Sequence, residues 1–279
     1  MTATTSTAPD ATSTGPRQYG TGASSFVSDT LLIFRRQLRL SLRNPAWVII
    51  GLVQPILYLA FFGPLLAQIA KTGALGAHNQ HDPWRFFVPG LLIQLGLFGA
   101  AFVGFTIIAD WRAGVIERFR VTPVSRMALL AGRVLRDVLT LTVQATVLVV
   151  AGLAFGLRAP VVGVLIGMGL VAVVAVTLAA VSYAVGLTLK SEDALAPLLN
   201  MVMVPLMLLS GIMLPMTLGP SWLRDVAKAT PFGYIINAMR DAFAGRYFTT
   251  VMAEGVAVSV GLAVVCLWLA SRAFGRENA

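Results

Sequence analysis

Six long apolar stretches leave this 279-residue chain little choice of fold. A bilayer core of about 30 Å is crossed by roughly 20 helical residues. The chain offers such runs at approximately Trp47 to Ala70, Phe86 to Ala109, Met127 to Phe155, Val161 to Leu189, Ala194 to Leu214 and Val251 to Ala270. With 57% hydrophobic and 12% charged residues, it lies far from soluble domains, in which about a quarter of residues are charged. The expected fold class is all-α: a polytopic membrane protein whose one transmembrane domain covers 26–279. Residues 1–25, rich in Thr, Ser, Ala, Gly and Pro, lack an apolar run and a basic start, and read as a disordered tail.

The polar residues between the spans set the orientation. Asp110 to Arg126 reads DWRAGVIERFRVTPVSR and crowds Arg112, Glu117, Arg118, Arg120 and Arg126 into a loop too short to be a domain. Pro123 restricts Thr122 to extended geometry, so a short helix from about Ala113 to Val121 is expected to stop there. Lys and Arg resist transfer across the bilayer. With both termini cytoplasmic, 14 of the 21 basic residues fall inside, a two-to-one bias. The net charge of +9 is thereby explained by topology, and nucleic-acid binding is set aside. A solvated positive loop or a docking element for a cytoplasmic partner would each read this way.

From Ser28 to Arg43 the pattern is helical at about 100° per residue, with Leu31, Phe34, Leu38 and Leu42 on one narrow face. Arg35, Arg36, Arg39 and Arg43 occupy the adjoining arc, as in a basic helix lying among lipid headgroups. Near the other end of the chain, Pro215, Pro220 and Pro231 break the segment 215–250 into pieces. Phe232, Tyr234, Ile235, Ile236, Met239 and Phe243 give the last piece an apolar side, expected to lie opposite Arg240 and Asp241. Short re-entrant or interfacial helices on the outer side are expected.

Several chemistries are missing. Each lysine follows Ala70, Leu189 or Ala227, so no Gly-Lys-Ser/Thr phosphate loop exists. No carboxylate falls at the middle of a span, where ion-coupled carriers commonly place one. His78, His81 and Asp82 share one loop, a pattern more often solvated than metal-binding. No GxSxG, HExxH or paired intramembrane acids appear, so neither a catalytic centre nor a cofactor or metal site is expected. Cys266 stands alone, which rules out an intrachain disulfide, and reads as a small buried residue of the last span.

Within the spans, Gln54, Tyr58, Gln94, Thr106, Ser182, Tyr183, Asn200 and Ser210 are costly in lipid unless they meet protein or water. Hydrogen bonding between helices is the expected role for each. Gln54, Tyr58, Gln94 and Asn200 are also candidates for lining a route for an amphipathic cargo. The spacings Gly152 to Gly156 and Gly163 to Gly167 permit close helix packing.

Together these parts resemble the permease subunit of type-2 ABC exporters, most of all the daunorubicin-resistance-like drug exporters. The carrying stretches are Glu117-Arg-Phe-Arg-Val-Thr-Pro-Val-Ser-Arg126, and Leu209 through Pro215 to Pro231-Phe-Gly-Tyr234 and Arg240. The resemblance implies a half-transporter of the plasma membrane that pairs as a homodimer or with a related permease. It also implies docking to two copies of a separate ABC ATPase, which would hold the ATP and Mg. The interface helix would be 28–43, with Arg35, Arg36, Arg39 and Arg43. The coupling element would be 112–126, with Arg112, Glu117, Arg118, Arg120, Pro123 and Arg126. The cargo route would follow the dimer interface near the first, second and fifth spans, and the outer segment would carry Pro215, Pro231, Tyr234 and Arg240. A hydrophobic or amphipathic drug, antibiotic or lipid-like cargo is implied. An ion-coupled carrier, a membrane accessory protein, or a polysaccharide-exporting relative stays open.

Overall fold

The computed structural model describes residues 23–71, 83–115, 126–212 and 220–276. Ten helices are described: α1 (Ala23–Arg43), α2 (Ala46–Lys71), α3 (Pro83–Ala101), α4 (Gly104–Arg112), α5 (Arg126–Ala154), α6 (Val161–Leu189), α7 (Glu192–Leu209), α8 (Ser221–Lys228), α9 (Pro231–Phe243) and α10 (Thr250–Arg276). Among the described residues there is no strand. Six helical stretches are long and apolar enough to cross a membrane: Val48–Leu66, Pro83–Arg112, Met127–Ala154, Val161–Leu189, Glu192–Leu209 and Thr250–Ala273. The all-α, six-span expectation therefore holds. Two differences stand out. The fifth span stops at Leu209 instead of 214, and the second is two helices.

The break in the second span has a local cause. Phe102 and Val103 form a turn after α3, and the freed Gly104 N–H donates to Ser182 Oγ on α6 at 2.9 Å. Ser182 Oγ in turn donates to the Ala101 carbonyl. One hydroxyl thus satisfies a donor and an acceptor that the break leaves without helical partners, as backbone at membrane depth requires. The seam tolerates no side chain. A Cβ on Gly104 would lie 2.6 Å from the Ser182 carbonyl, and one on Gly186 would lie 2.8 Å from the Gly104 carbonyl.

The second span is also the axis of the bundle. Of its most apolar stretch 67% is buried inside the protein, against 17% for the first, fifth and sixth spans. Those three therefore present most of their apolar surface outward, where lipid or a second chain must cover it. The core is built from α3, α5, α6 and α9, with Leu91, Leu92, Ile93 and Leu97 of α3 fully buried against partners such as Val171, Ala175 and Tyr183 of α6.

Connectivity gives the bundle two ends. One end gathers the α1–α2 junction, the end of α4, the start of α5 and the α6–α7 corner, and we term it the basic end. The opposite end carries α8 and α9. There Pro231 occupies the first turn of α9, which its fixed φ suits. α9 sinks into the bundle: a Cβ on Gly163 would come within 2.0 Å of the Ala242 carbonyl, and one on Gly167 within 2.6 Å of the Phe243 ring. The glycine spacing read from the sequence is thus where α9 and α6 meet.

α1 starts at Ala23, inside the stretch read as a tail, and has three faces rather than two. Ile33 is buried on α5, where a Cβ on Gly132 would lie 2.8 Å from its Cγ2 and 2.9 Å from the Thr30 carbonyl. Leu31 and Leu42 remain exposed on an apolar face, with Phe34 and Leu38 half-buried, and Arg35, Arg36, Arg39 and Arg43 are all exposed on the third. A helix with one side on protein and another free to enter the acyl boundary suits the headgroup layer.

Candidate functional site

The basic end is held by charge. Arg133, in the second turn of α5 and 2% exposed, pairs through Nη2 with Asp110 Oδ2 of α4 at 2.6 Å. One turn further along α5, Asp137 is gripped from two sides: Arg136 Nη1 lies 3.1 Å from Oδ1, and Tyr183 Oη of α6 donates to Oδ2. A buried carboxylate is tolerated only when its lone pairs are met in this way. At the rim, Arg112 Nη1 donates to Glu192 Oε1 at 3.4 Å, and the Lys190 ammonium lies 5.7 Å from the centre of the Trp111 ring. Lys190 closes the α6–α7 corner at φ 52, the one non-glycine residue with positive φ among the described residues. Glu192 and Asp193 follow in the first turn of α7, where the helix dipole favours acids.

The consequence is mechanical. The turn between Arg112 and Arg126 leaves from α4 and returns on α5. These flanks are tied to each other by Asp110 and Arg133, to α6 by Asp137 and Tyr183, and to α7 by Arg112 and Glu192. The tie to α7 is a half-exposed pair at 3.4 Å, so the firmer of these links runs to α6. Of the residues assigned to this turn from sequence, Arg112 ends α4 and Arg126 opens α5. Glu117, Arg118, Arg120 and Pro123 lie outside the described residues, as does most of the short helix expected over 113–121.

Asp110, Arg133, Asp137 and Tyr183 were not singled out as a group by the sequence. Arg133 and Asp137 lie within the run read as the third span, and α5 draws both inside the bundle, each about 2% exposed.

The polar span residues separate into two kinds. Ser182 and Tyr183 join helices as expected, and so does Gln144, whose Nε2 donates to the Val48 carbonyl of α2 at 2.8 Å. Gln54, Asn200, Thr106 and Ser210 instead bond within their own helices. Gln54 Nε2 donates to Tyr58 Oη at 3.3 Å, Asn200 Nδ2 to the Ala196 carbonyl at 3.0 Å, Thr106 Oγ1 to the Val103 carbonyl at 2.7 Å, and Ser210 Oγ to the Leu206 carbonyl. Gln54 and Asn200 are exposed on α2 and α7, and Tyr58 is half-buried beside Phe62. Gln94 is inside α3's buried girdle, 2% exposed, and its Oε1 meets no donor among the described residues. Three of the four route candidates thus share the outward surfaces of the two helices that flank α3, and the fourth is within the chain.

At the opposite end, Arg240 and Asp241 are not on a solvent side opposed to the apolar one. Asp241, 8% exposed, accepts from Arg246 Nη2 at 2.5 Å and Thr249 Oγ1 at 2.8 Å, while Thr249 Oγ1 caps α10 by accepting the Met252 N–H at 3.1 Å. Arg240 reaches back into the bundle. Its Nη2 donates to the Gly211 and Ile212 carbonyls at 2.8 and 3.3 Å and its Nε to the Phe86 carbonyl at 3.3 Å, with the guanidinium 3.6 Å over the Phe86 ring. Burial pulls this guanidinium down to about 9, which leaves it charged at neutral pH. Tyr234 is half-buried, and a Cβ on Gly255 of α10 would lie 2.6 Å from its carbonyl. Pro215 lies outside the described residues. On α8, Lys228 pairs with Asp225 at 2.8 Å and holds that exposed carboxyl below the usual range, a pair of little weight for stability.

No group of three or more His, Cys, Asp or Glu able to hold a metal occurs among the described residues, and His78, His81 and Asp82 lie outside them. Cys266 is half-buried on α10 instead of fully enclosed.

Residues 28–244 match the family described as ABC-2 type transporter, from the second turn of α1 through α9. The chain belongs to this family. It is also 26% identical over 255 residues to the daunorubicin resistance ABC transporter permease protein DrrB1 of Streptomyces coeruleorubidus, which covers 91% of this chain and 88% of that one. The probable doxorubicin resistance ABC transporter permease protein DrrC of Mycobacterium tuberculosis is 25% identical over 244 residues, 86% of each chain. The putative transport permease ycf38 of Porphyra purpurea is 26% identical over 201 residues, 71% of this chain and 68% of its own. As an ABC-2 permease this chain is a non-catalytic membrane subunit.

Proposed function

We propose that this ABC-2 chain is the transmembrane half of an exporter for hydrophobic or amphipathic compounds. Two copies of a separate ABC ATPase, holding ATP and Mg, would drive it from the cytoplasm. The carrying observation is the basic end. It joins the turn 112–126 to α6 and α7 through ion pairs and hydrogen bonds, and so offers a path from a docked motor to the spans. The excess of Lys and Arg at this end, and the Arg272 guanidinium 3.9 Å over Trp268 near the end of α10, support a cytoplasmic placement in the plasma membrane with both termini inside. The exposed arginine face of α1 suits anionic headgroups, each charge contributing about 1 kcal/mol.

Homodimerisation, or pairing with a related permease, is supported by the outward apolar surfaces of α2 and α7. Gln54, Tyr58 and Asn200 then stand where two chains would enclose a route, with Gln94 behind them in α3. Export of drug-like cargo is supported by the two relatives that carry resistance names. The deciding experiment is uptake into inside-out vesicles containing the chain and its ATPase. ATP-dependent accumulation of an anthracycline-like cargo is expected. Transport that needs no ATP and collapses with the proton gradient would contradict the reading.

A further inference from the structure

We propose that Arg240 is a positioning residue for transport: a releasable clamp that holds the far end of α7 closed against α3 and α9. The inference rests on the transporter reading above and adds where the exit side opens. α7 ends at Leu209, and its last carbonyls have no helical partner. Gly211 then turns at φ 71, which directs its own carbonyl and that of Ile212 toward α9. Arg240 binds both, and with its third bond takes the Phe86 carbonyl of α3. One guanidinium thereby joins three elements, using the rigid fork that lysine lacks. Its positive charge also meets the negative end of the α7 dipole.

Three features make the contact a clamp instead of a static staple. Its acceptors are neutral carbonyls, and no carboxylate among the described residues pairs with Arg240, so it can be released without stranding a buried anion. Beneath it the Ile212 carbonyl passes so close to α3 that a Cβ on Gly90 would lie 2.5 Å away, while the Ile212 side chain is 1% exposed. Lifting the α7 end would therefore uncover Ile212. Finally, α7 is otherwise lightly held. Only 17% of its apolar stretch is buried, Pro197 and Pro205 interrupt its hydrogen-bond ladder, and its opposite end is tied through Glu192 to Arg112. A motion imposed on the turn at the basic end would pull on α7 and arrive at Arg240.

The test places a reporter cysteine at Ile212 in a Cys266→Ser background, within the assembled complex in cells or right-side-out vesicles, and follows labelling by a membrane-impermeant maleimide from outside. A second reporter at Leu157, buried at the same outer end in the connection between α5 and α6, detects general unfolding. In the otherwise intact chain, Ile212→Cys is expected to be protected at rest and labelled during turnover with ATP and an anthracycline. Arg240→Gln should raise resting labelling about tenfold or more, the factor for losing a charge-assisted hydrogen bond, with Leu157→Cys still protected. Arg240→Lys, which keeps the charge and loses the fork, should fall between. If Ile212→Cys stays protected while the complex transports, or if Arg240→Gln exposes Ile212 and Leu157 equally, the clamp is overturned. Because the turnover arm keeps Arg240, it decides the matter even if the substituted chains fail to fold. A complex that never transports on ATP counts instead against the transporter reading.

Discussion

Arg133 shows how one side chain organises the basic end. At 2% exposure it is tolerable only because Asp110 lies 2.6 Å away, and removing one member of such a pair leaves an uncompensated charge. Asp110→Asn should therefore cost about 3 kcal/mol, whereas replacing both, as in Asp110→Asn with Arg133→Met, should recover much of that loss. Thermal unfolding of the purified chain in detergent checks this, and equal melting of the single and double variants would show that the pair is not the stabilising unit. Asn200 allows a different separation. Its amide bonds only to its own helix, so Asn200→Ala should leave the melting temperature near that of the parent while changing which compounds stimulate ATP hydrolysis in the complex. A lower melting temperature with an unaltered cargo profile would remove Asn200 from the route.

At the scale of helices, close approach is set by glycine. Gly163→Val would drive side-chain atoms into the Ala242 carbonyl, which is backbone and cannot swing away, and should destabilise by about 2 kcal/mol or more. Gly169→Val, on the same helix where an added Cβ meets nothing within 4 Å, is the control and should be nearly neutral. If both variants melt alike, the α6–α9 contact is not as tight as described.

Element lengths and types were legible at this scale because apolar run length is a direct physical requirement of the bilayer. Pro231 and the Gly163 to Gly167 spacing were legible for similarly local reasons. The break at Phe102 was not, since neither residue of the turn is a helix breaker and the cause is Ser182, some eighty residues away. The inward turn of Arg240 was equally hidden. Periodicity places it opposite an apolar side, but three backbone carbonyls outcompete water for it, and backbone acceptors leave no mark in a sequence.

For the whole molecule, the account joins two ends through α7. A motor docked at 112–126 would act on flanks tied by Asp110 to Arg133 and by Asp137 to Tyr183, while the far end opens at Arg240. The basic end was half legible: the charge of Asp110 and Arg112 stands out in the sequence, but their neighbours Arg133, Asp137, Tyr183 and Glu192 come from α5, α6 and α7. Everything depends on the turn 112–126 being where the ATPase engages, and charged rims govern such docking. The most direct measurement is ATP-driven cargo accumulation, together with ATPase co-purification, for the parent and for Glu117→Lys in the same vesicles. Glu117→Lys is expected to insert at normal levels but to lose transport, through failed recruitment or through hydrolysis without accumulation. Normal recruitment and normal ATP-driven transport by Glu117→Lys would contradict it.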